Sequence, residues 1–474
     1  MYIMKKTFLT LISLVLALIV SAQGQVKYVF YFIGDGMGVN QINVTETYQA
    51  ALKGKIGFEP ILMSSFPVVG VVNTYSATNG VTDSAAGGTA LATGHKTKNG
   101  TIGMLEDQET PCSSIAVWAQ KAGAAIGIAT NVAINHATPA SFYGHRRDRN
   151  MYWELGQDLC QSGFDFFAGG DFHSPNTKEG EPSLREQAVK AGYTILTGGY
   201  KEYQKKGLKA DKLILFQSDY QNQKLGSDHI PYALDQDKND LTLEQITRAG
   251  INYLMSKQKN GFFFQIEGGM IDYACHRNDI GNAVNEVLDM DKAVRVAYEF
   301  YEQHPDETII VISADHETGG LVMGRGAYEL HTDLLKYQTR SIDETKWLLR
   351  EQYKKAPKKF TREEMEKQVK AILGLGGPIK IDDRQRERID RRYDAIEKAI
   401  SENGKVNDRI NELCETCKNI LSEVSHISWA SGGHSNGYVP IYAIGPGTEV
   451  FQGRIDNIEI APAMARIAGY TPED

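Results

Sequence analysis

The sequence predicts an α/β fold, and three observations carry that prediction. Continuous apolar runs, VKYVFYFI at 26–33, FFFQI at 262–266 and TIIVIS at 308–313, have the pattern of strands buried on both faces. Stretches with helical periodicity separate them, as alternation of strand and helix requires. Each run then empties into a turn rich in glycine or acid: Gly34-Asp35-Gly36-Met37-Gly38, Glu267-Gly268-Gly269 and Ala314-Asp315-His316-Glu317. The carboxyl ends of parallel strands are where such sheets place ligand groups.

In chain order, Lys5-Lys6, the apolar run Phe8–Val20 and the small residues Ser21-Ala22 form the pattern of a cleaved secretory signal, assigned to 1–22, with the mature catalytic domain at 23–474. No later apolar run approaches the roughly 18 residues of a membrane span. The mature protein is therefore expected in the periplasm or outside the cell. Pro67–Tyr75 reads as the next strand, and a short loop leads from it into Gly80–Gly94. There Thr82, Asp83 and Ser84 are N-cap types, so a helix is expected from Asp83 or Ser84, closed by Gly94. That helix is either an ordinary capped, Ala-rich core helix, or one whose free N–H groups beside the Ser84 hydroxyl seat a phosphoryl group. Gly87 and Gly88 each cost roughly 1 kcal/mol against alanine in a helix, so a close approach by a ligand or by other backbone is expected there.

Ala124–Thr130 is a further strand, followed by a segment holding His136, Thr138 and Arg149. Pro139 makes Thr138 an N-cap candidate, and the Arg146–Arg149 cluster reads as a solvated face. Strands are also expected near Phe164–Ala168 and Leu213–Gln217, with a helix running into a strand over Ala188–Thr197. Asp272 and His276 stand four apart, so on a helix they share a face and can bind one ion. Gly433-His434 leads into a strand at Tyr438–Ile444. Between 336 and 425 the composition shifts to long charged residues with helical period, an inserted helical segment interrupted at Gly374–Pro378.

Composition narrows the function. A net charge of −8 argues against nucleic acid as a partner and leaves bound cations to attract any anionic substrate. Five cysteines are an odd number, so at least one thiol is free or pairs between chains. Cys414 and Cys417 form either a local disulfide or two unpaired thiols. The residues of ligand type are Asp35, Ser84, Thr138, Arg149, Glu267, Asp272, His276, Asp315, His316 and His434. Three histidines with carboxylates suit zinc, and a remainder of acid and hydroxyl oxygens suits magnesium. These are too many ligands for one ion. Two ions about 4 Å apart can clamp an in-line phosphoryl displacement and activate a serine that is otherwise a weak nucleophile.

The ordered set Gly34-Asp35-Gly36-Met37-Gly38, Thr82-Asp83-Ser84-Ala85-Ala86, Thr138-Pro139-Ala140, Glu267-Gly268-Gly269, Ile271-Asp272, Ala314-Asp315-His316-Glu317 and Gly433-His434 resembles the alkaline phosphatase family across nearly the whole mature chain. The resemblance implies a three-layer α/β/α sandwich around a large, mostly parallel sheet, a homodimer, and hydrolysis of small-molecule phosphate monoesters. It implies transient phosphorylation of Ser84, and one zinc ion on Asp272, His276 and His434. A second zinc ion on Asp35, Asp315 and His316, magnesium on Asp35, Thr138 and Glu267, and a phosphate-holding role for Arg149 follow in the same way. Two departures stand out. His136 occupies the place where some bacterial members have an acid, and Tyr273, assigned to the substrate side, replaces a familiar lysine or histidine. Asp83 and His136 are expected behind the ligands. The segment 336–425 falls where animal members carry a crown-like insertion, so it is either near a dimer interface or site mouth, or a solubilising bundle. The competing readings are a phosphodiesterase or other ester hydrolase of the same superfamily, and a non-catalytic metal-dependent binding protein.

Overall fold

The computed structural model describes residues 26–175, 180–219, 228–258, 260–326 and 328–473, so the signal segment read at 1–22 lies outside the described residues. The apolar runs become strands. In chain order these are β1 (Tyr28–Gly34), β2 (Val68–Asn73), β3 (Ala125–Thr130), β4 (Phe166–Gly169), β5 (Tyr193–Leu196), β6 (Lys212–Phe216), β7 (Phe262–Gly268) and β8 (Thr308–Ser313). The short strands β9 (Glu317–Thr318), β10 (Leu321–Met323), β11 (Ile427–Trp429) and β12 (His434–Ser435) follow, then β13 (Val439–Ile444) and β14 (Gly453–Asp456). Ten of them form one sheet in the order β14-β2-β13-β8-β1-β7-β3-β4-β6-β5. Its neighbours pair in parallel except around β13, which runs antiparallel to β2 and to β8.

The central strands β1, β7 and β8 are buried along their whole length, because helices cover both faces of the sheet. The helices Leu243–Lys257 and Ile280–Tyr301 pack on each other and on β1 and β7, while Ser84–Thr93, Ile115–Lys121 and Ile460–Ala468 form a second group against β1, β3 and β7. The result is a three-layer α/β/α sandwich, as expected. Strand register then positions the chemistry. Ile33 pairs with Glu267 on one side and with Ser313 on the other, so Asp35, Glu267 and Asp315 all leave the same edge of the sheet. Thr130, at the end of β3, pairs with Glu267 in turn. A separate antiparallel ribbon, β9 with β12, sets His434 opposite Thr318 and so returns the far C-terminal region to this edge.

The helices Ile342–Lys355, Arg362–Leu373, Asp383–Ser401 and Val406–Val424 share their own apolar core, which includes Leu349, Met365, Ile396 and Leu413. Val44, Tyr48, Ile280 and Val284 from the main body join that core. Asp279, buried at the start of Ile280–Tyr301, accepts from Gln338 Nε2 at 2.6 Å and from the Ile342 N–H at 2.7 Å, tying the helical segment to the sheet layer. The charged residues face outward, as with Arg362, which meets Asp390 and Asp394 at 2.8 Å each. All five cysteines are buried and free, so of the two alternatives for Cys414 and Cys417 the structure has unpaired thiols.

Candidate active site

Ser84 is the first residue of the helix Ser84–Thr93, and Asp83 is its N-cap, with Oδ1 accepting the Ala86 N–H at 3.0 Å. Gly94 closes the helix at φ +79°, a left-handed conformation in which glycine escapes the Cβ clash. The two interior glycines are explained by close approach of other parts of the chain, the Asp315 backbone at Gly87 and the Ser141 hydroxyl at Gly88. A Cβ on Gly87 would lie 2.8 Å from the Asp315 carbonyl oxygen, so this helix can reach the ends of the strands only without side chains there. Ser84 is buried, and its Oγ lies 3.1 Å from His316 Nε2. The positive end of the helix dipole points at the same place.

Around that hydroxyl stand two groups of imidazole and carboxylate. Asp272 and His276 lie four apart on the helix Met270–His276, with His276 Nε2 3.2 Å from Asp272 Oδ2 and 3.2 Å from His434 Nε2. His276 Nδ1 faces the Gly432 carbonyl at 2.7 Å and His434 Nδ1 faces the Thr82 carbonyl at 2.9 Å. A carbonyl only accepts, so both Nδ1 atoms carry the proton and both Nε2 lone pairs converge on one point. A metal ion between the two Nε2 atoms, or a second proton on one ring, relieves that contact, and fixing the tautomer from behind is how ligand imidazoles are usually held. In the second group His316 Nε2 lies 3.3 Å from both Asp35 Oδ1 and Asp315 Oδ2, all three residues being fully buried.

A third group brings Asp35 and Glu267 together with His136, their ligand atoms within 4.8 Å of one another. Thr138 lies against it, its Oγ1 3.5 Å from Asp35 Oδ2 and from Asp315 Oδ2. Thr138 is not an N-cap: the short helix Ala137–Ala140 starts one residue earlier, with His136 at the cap position. The proline therefore falls inside the turn, and the threonine hydroxyl is left to the carboxylates. His136, expected behind the ligands, lies beside these carboxylates, with Nδ1 buried and without a hydrogen-bond partner. Tyr273 packs edge-on to the His136 ring at 6.1 Å between centroids.

Arg149 does not sit on a solvated face. It folds inward, and its guanidinium donates to Asp83 Oδ2 at 3.0 Å, while the same oxygen accepts the Gly100 N–H at 3.0 Å. Asp83 thus caps the Ser84 helix with one oxygen and braces Arg149 with the other, a double role that composition and spacing did not reveal.

The electrostatics of the site call for cations. Burial first, and then the Asp272 charge, push the Asp315 carboxyl up to about 7. Burial likewise pushes Glu267 up to about 8, against the pull of its hydrogen bond from Thr130. Asp35 is raised well above its usual range by burial and by the neighbouring Asp315 and Asp272. Burial, helped by the Arg149 charge, holds His136 down to about 3, so its ring is neutral and free to act as a ligand. Asp35 Oδ1 and Glu267 Oε1 are buried without hydrogen-bond partners. Clustered buried acids of this kind either take up protons or are offset by a positive charge, and divalent ions favour the charged form and reverse the local pKa logic.

A hydroxyl at a helix N-terminus, set among imidazole nitrogens and carboxylate oxygens grouped within ligand distance of one another, is the construction of a metal-dependent hydrolase for anionic esters. Comparison with known proteins then narrows the class: residues 26–213 and 201–470 match the alkaline phosphatase family model, and this chain belongs to that family of phosphomonoesterases. Alkaline phosphatase 3 of Bacillus subtilis is 31% identical over 458 residues, covering 94% of this chain and 90% of that protein. The alkaline phosphatase of Schizosaccharomyces pombe is 28% identical over 458 residues, covering 92% and 80%. The crystal structure of a cold-active alkaline phosphatase from a psychrophilic Shewanella sp. superposes with a TM-score of 0.77 at 27% identity, covering 93% of this chain and 99% of that one.

Proposed function

We propose that the chain hydrolyses phosphate monoesters in two displacements at Ser84, using two zinc ions and one magnesium ion. The observation that carries this reading is the position of Ser84 Oγ, at a helix N-terminus, 3.1 Å from His316 and beside a guanidinium held by the adjacent residue. Arg149 donates two hydrogen bonds to non-bridging oxygens of the substrate and turns its phosphorus toward Ser84. Ser84 Oγ bonds to phosphorus as the ester P–O bond breaks, and the alcohol leaves with a proton. Water then attacks the phosphoserine, returning the free serine and inorganic phosphate.

Asp272, His276 and His434 would hold one zinc ion and Asp35, Asp315 and His316 the other. Asp35, Thr138 and Glu267 would hold magnesium, with neutral His136 at its side and the Tyr273 hydroxyl toward the substrate. Bound there, the ions supply Lewis acidity to the phosphoryl oxygens and lower the pKa of a coordinated nucleophile. Residues 1–22 are read as a cleaved signal, the mature chain as a homodimer in the periplasm or outside the cell. No helix among the described residues is long and apolar enough to cross a membrane. The segment 336–425 is assigned to the mouth of the site. In support, Asp343 pairs with Arg277, next to His276, at 2.8 Å, and Lys418 Nζ donates to the Arg277 carbonyl at 2.5 Å.

The test is Ser84→Ala at matched metal content. It should lose most turnover of a chromogenic monoester while keeping its zinc; near-normal turnover would remove Ser84 from the nucleophile's role.

A further inference from the structure

We propose a metal site apart from the catalytic groups: Glu329, His331 and His426 together bind one divalent transition-metal ion of the zinc class where the chain enters and leaves the helical segment. Their ligand atoms lie within 4.8 Å of one another. His331 Nε2 stands 3.3 Å from Glu329 Oε2. Two ligands with bonds of about 2.05 Å on a tetrahedral ion are separated by about 3.3 Å, so this pair already has the required bite. The His331 and His426 rings lie with centroids 5.1 Å apart and planes tilted by 58°. Two nitrogens and one carboxylate oxygen suit zinc rather than calcium or magnesium, which prefer all-oxygen shells. The residues are partly exposed, leaving an entry path and room for a water ligand.

An ordinary Glu–His ion pair accounts for two of the three residues and leaves His426 unexplained. Among the described residues its imidazole has no hydrogen-bond partner, and its backbone is held at φ +57°, a conformation uncommon for a residue with a Cβ. That backbone is clamped from the opposite crossing of the chain: the His426 carbonyl accepts the Gly324 and Arg325 N–H groups at 2.9 and 3.0 Å. The His331 N–H donates to the Ser425 carbonyl at 3.4 Å. Roughly ninety residues lie between His331 and His426, so an ion on both would close a long loop and remove conformational freedom from the unfolded chain. Its role is to fasten the helical segment, and it leaves phosphoryl chemistry untouched.

The full chain, dialysed to equilibrium against buffered Zn²⁺, should hold one more zinc ion per chain than the double variant His331→Ala/His426→Ala, counted by mass spectrometry of the metals. Zn²⁺ beyond the need of the catalytic groups should raise the melting temperature of the wild type and leave that of the double variant unmoved, with phosphatase activity equal in the two. Glu329→Gln keeps both imidazoles and tests the carboxylate without risk to folding: it should show a lower zinc count at the same free Zn²⁺. Equal zinc counts in all three proteins, or the same zinc-induced melting shift, would overturn the proposal.

Discussion

Replacing Asp83 by asparagine separates two tasks that one carboxylate performs. The amide oxygen can still accept the Ala86 N–H now held at 3.0 Å, and asparagine caps helices about as well as aspartate. The amide nitrogen then faces two donors, Arg149 Nη1 and the Gly100 N–H, each 3.0 Å from the oxygen it replaces. Arg149 must turn away or lose its brace. A hydrogen bond to a charged group contributes about 1.5–3 kcal/mol, and about 1.4 kcal/mol is a factor of ten in an equilibrium constant. The whole of that loss would weaken phosphate binding by roughly ten- to a hundredfold. Phosphate itself helps to re-order the guanidinium, so the lower end, about tenfold, is the expected rise in the inhibition constant for inorganic phosphate. The Gly100 N–H left unpaired should lower stability by only about 1 kcal/mol. Competitive inhibition of chromogenic monoester hydrolysis, with metal content and melting temperature measured alongside, decides the matter. A phosphate inhibition constant within about twofold of wild type, at normal metal content, would refute the bracing role.

Arg149→Ala should lower kcat/KM for a monoester by at least about tenfold more than for a diester, because a diester has alkylated one of the oxygens the guanidinium would bind; equal losses on both, or a wild type that prefers the diester, would move the assignment to a phosphodiesterase. With neutral His136 in the third group, magnesium should be held loosely, so adding Mg²⁺ to metal-depleted protein should raise activity, and His136→Asp should reduce that dependence; indifference to Mg²⁺ in both proteins contradicts the reading. Burial raises the Asp279 carboxyl from its ordinary 3.8 to about 6, against its hydrogen bonds from Gln338 and Ile342. Because the folded value lies above the unfolded one, the stability linked to this group is complete below the unfolded pKa and is lost as pH rises through about 6. Thermal unfolding of Asp279→Asn should therefore show a flatter pH dependence across that window than the wild type, and an unchanged slope would be evidence against the assignment.

Much of the site was legible because its chemistry sits at strand ends. An apolar run that stops at Gly34-Asp35 or at Ser313-Ala314-Asp315 announces both the buried strand and the acid beyond it, and parallel register then brings Asp35, Glu267 and Asp315 together. The Ser84 helix was legible from its cap and its closing glycine. What escaped depended on contacts between distant parts of the chain. The inward fold of Arg149 depends on Asp83, sixty-six positions earlier, so its local sequence reads only as a charged surface. Thr138 looked like a cap because Pro139 follows it, whereas the turn begins at Ala137 with His136 at the cap position. The return of His434 through a two-residue ribbon with Thr318 has no periodic signature. The edge strand β14 is polar and half-exposed, so no apolar run marked it, and the antiparallel direction of β13 has no local signal either.

The central claim is that Ser84 carries the phosphoryl group, and the most direct measurement is the mass of the peptide that contains it. Metal-replete enzyme incubated with a phosphate monoester, quenched in acid and digested, should yield that peptide with the added mass of one phosphoryl group placed on Ser84 by fragmentation. The same treatment of Ser84→Ala should give no phosphorylated peptide. Phosphorylation on another residue, or rapid turnover by the wild type with no phosphorylated peptide in any quench between acid and neutral pH, would contradict the account.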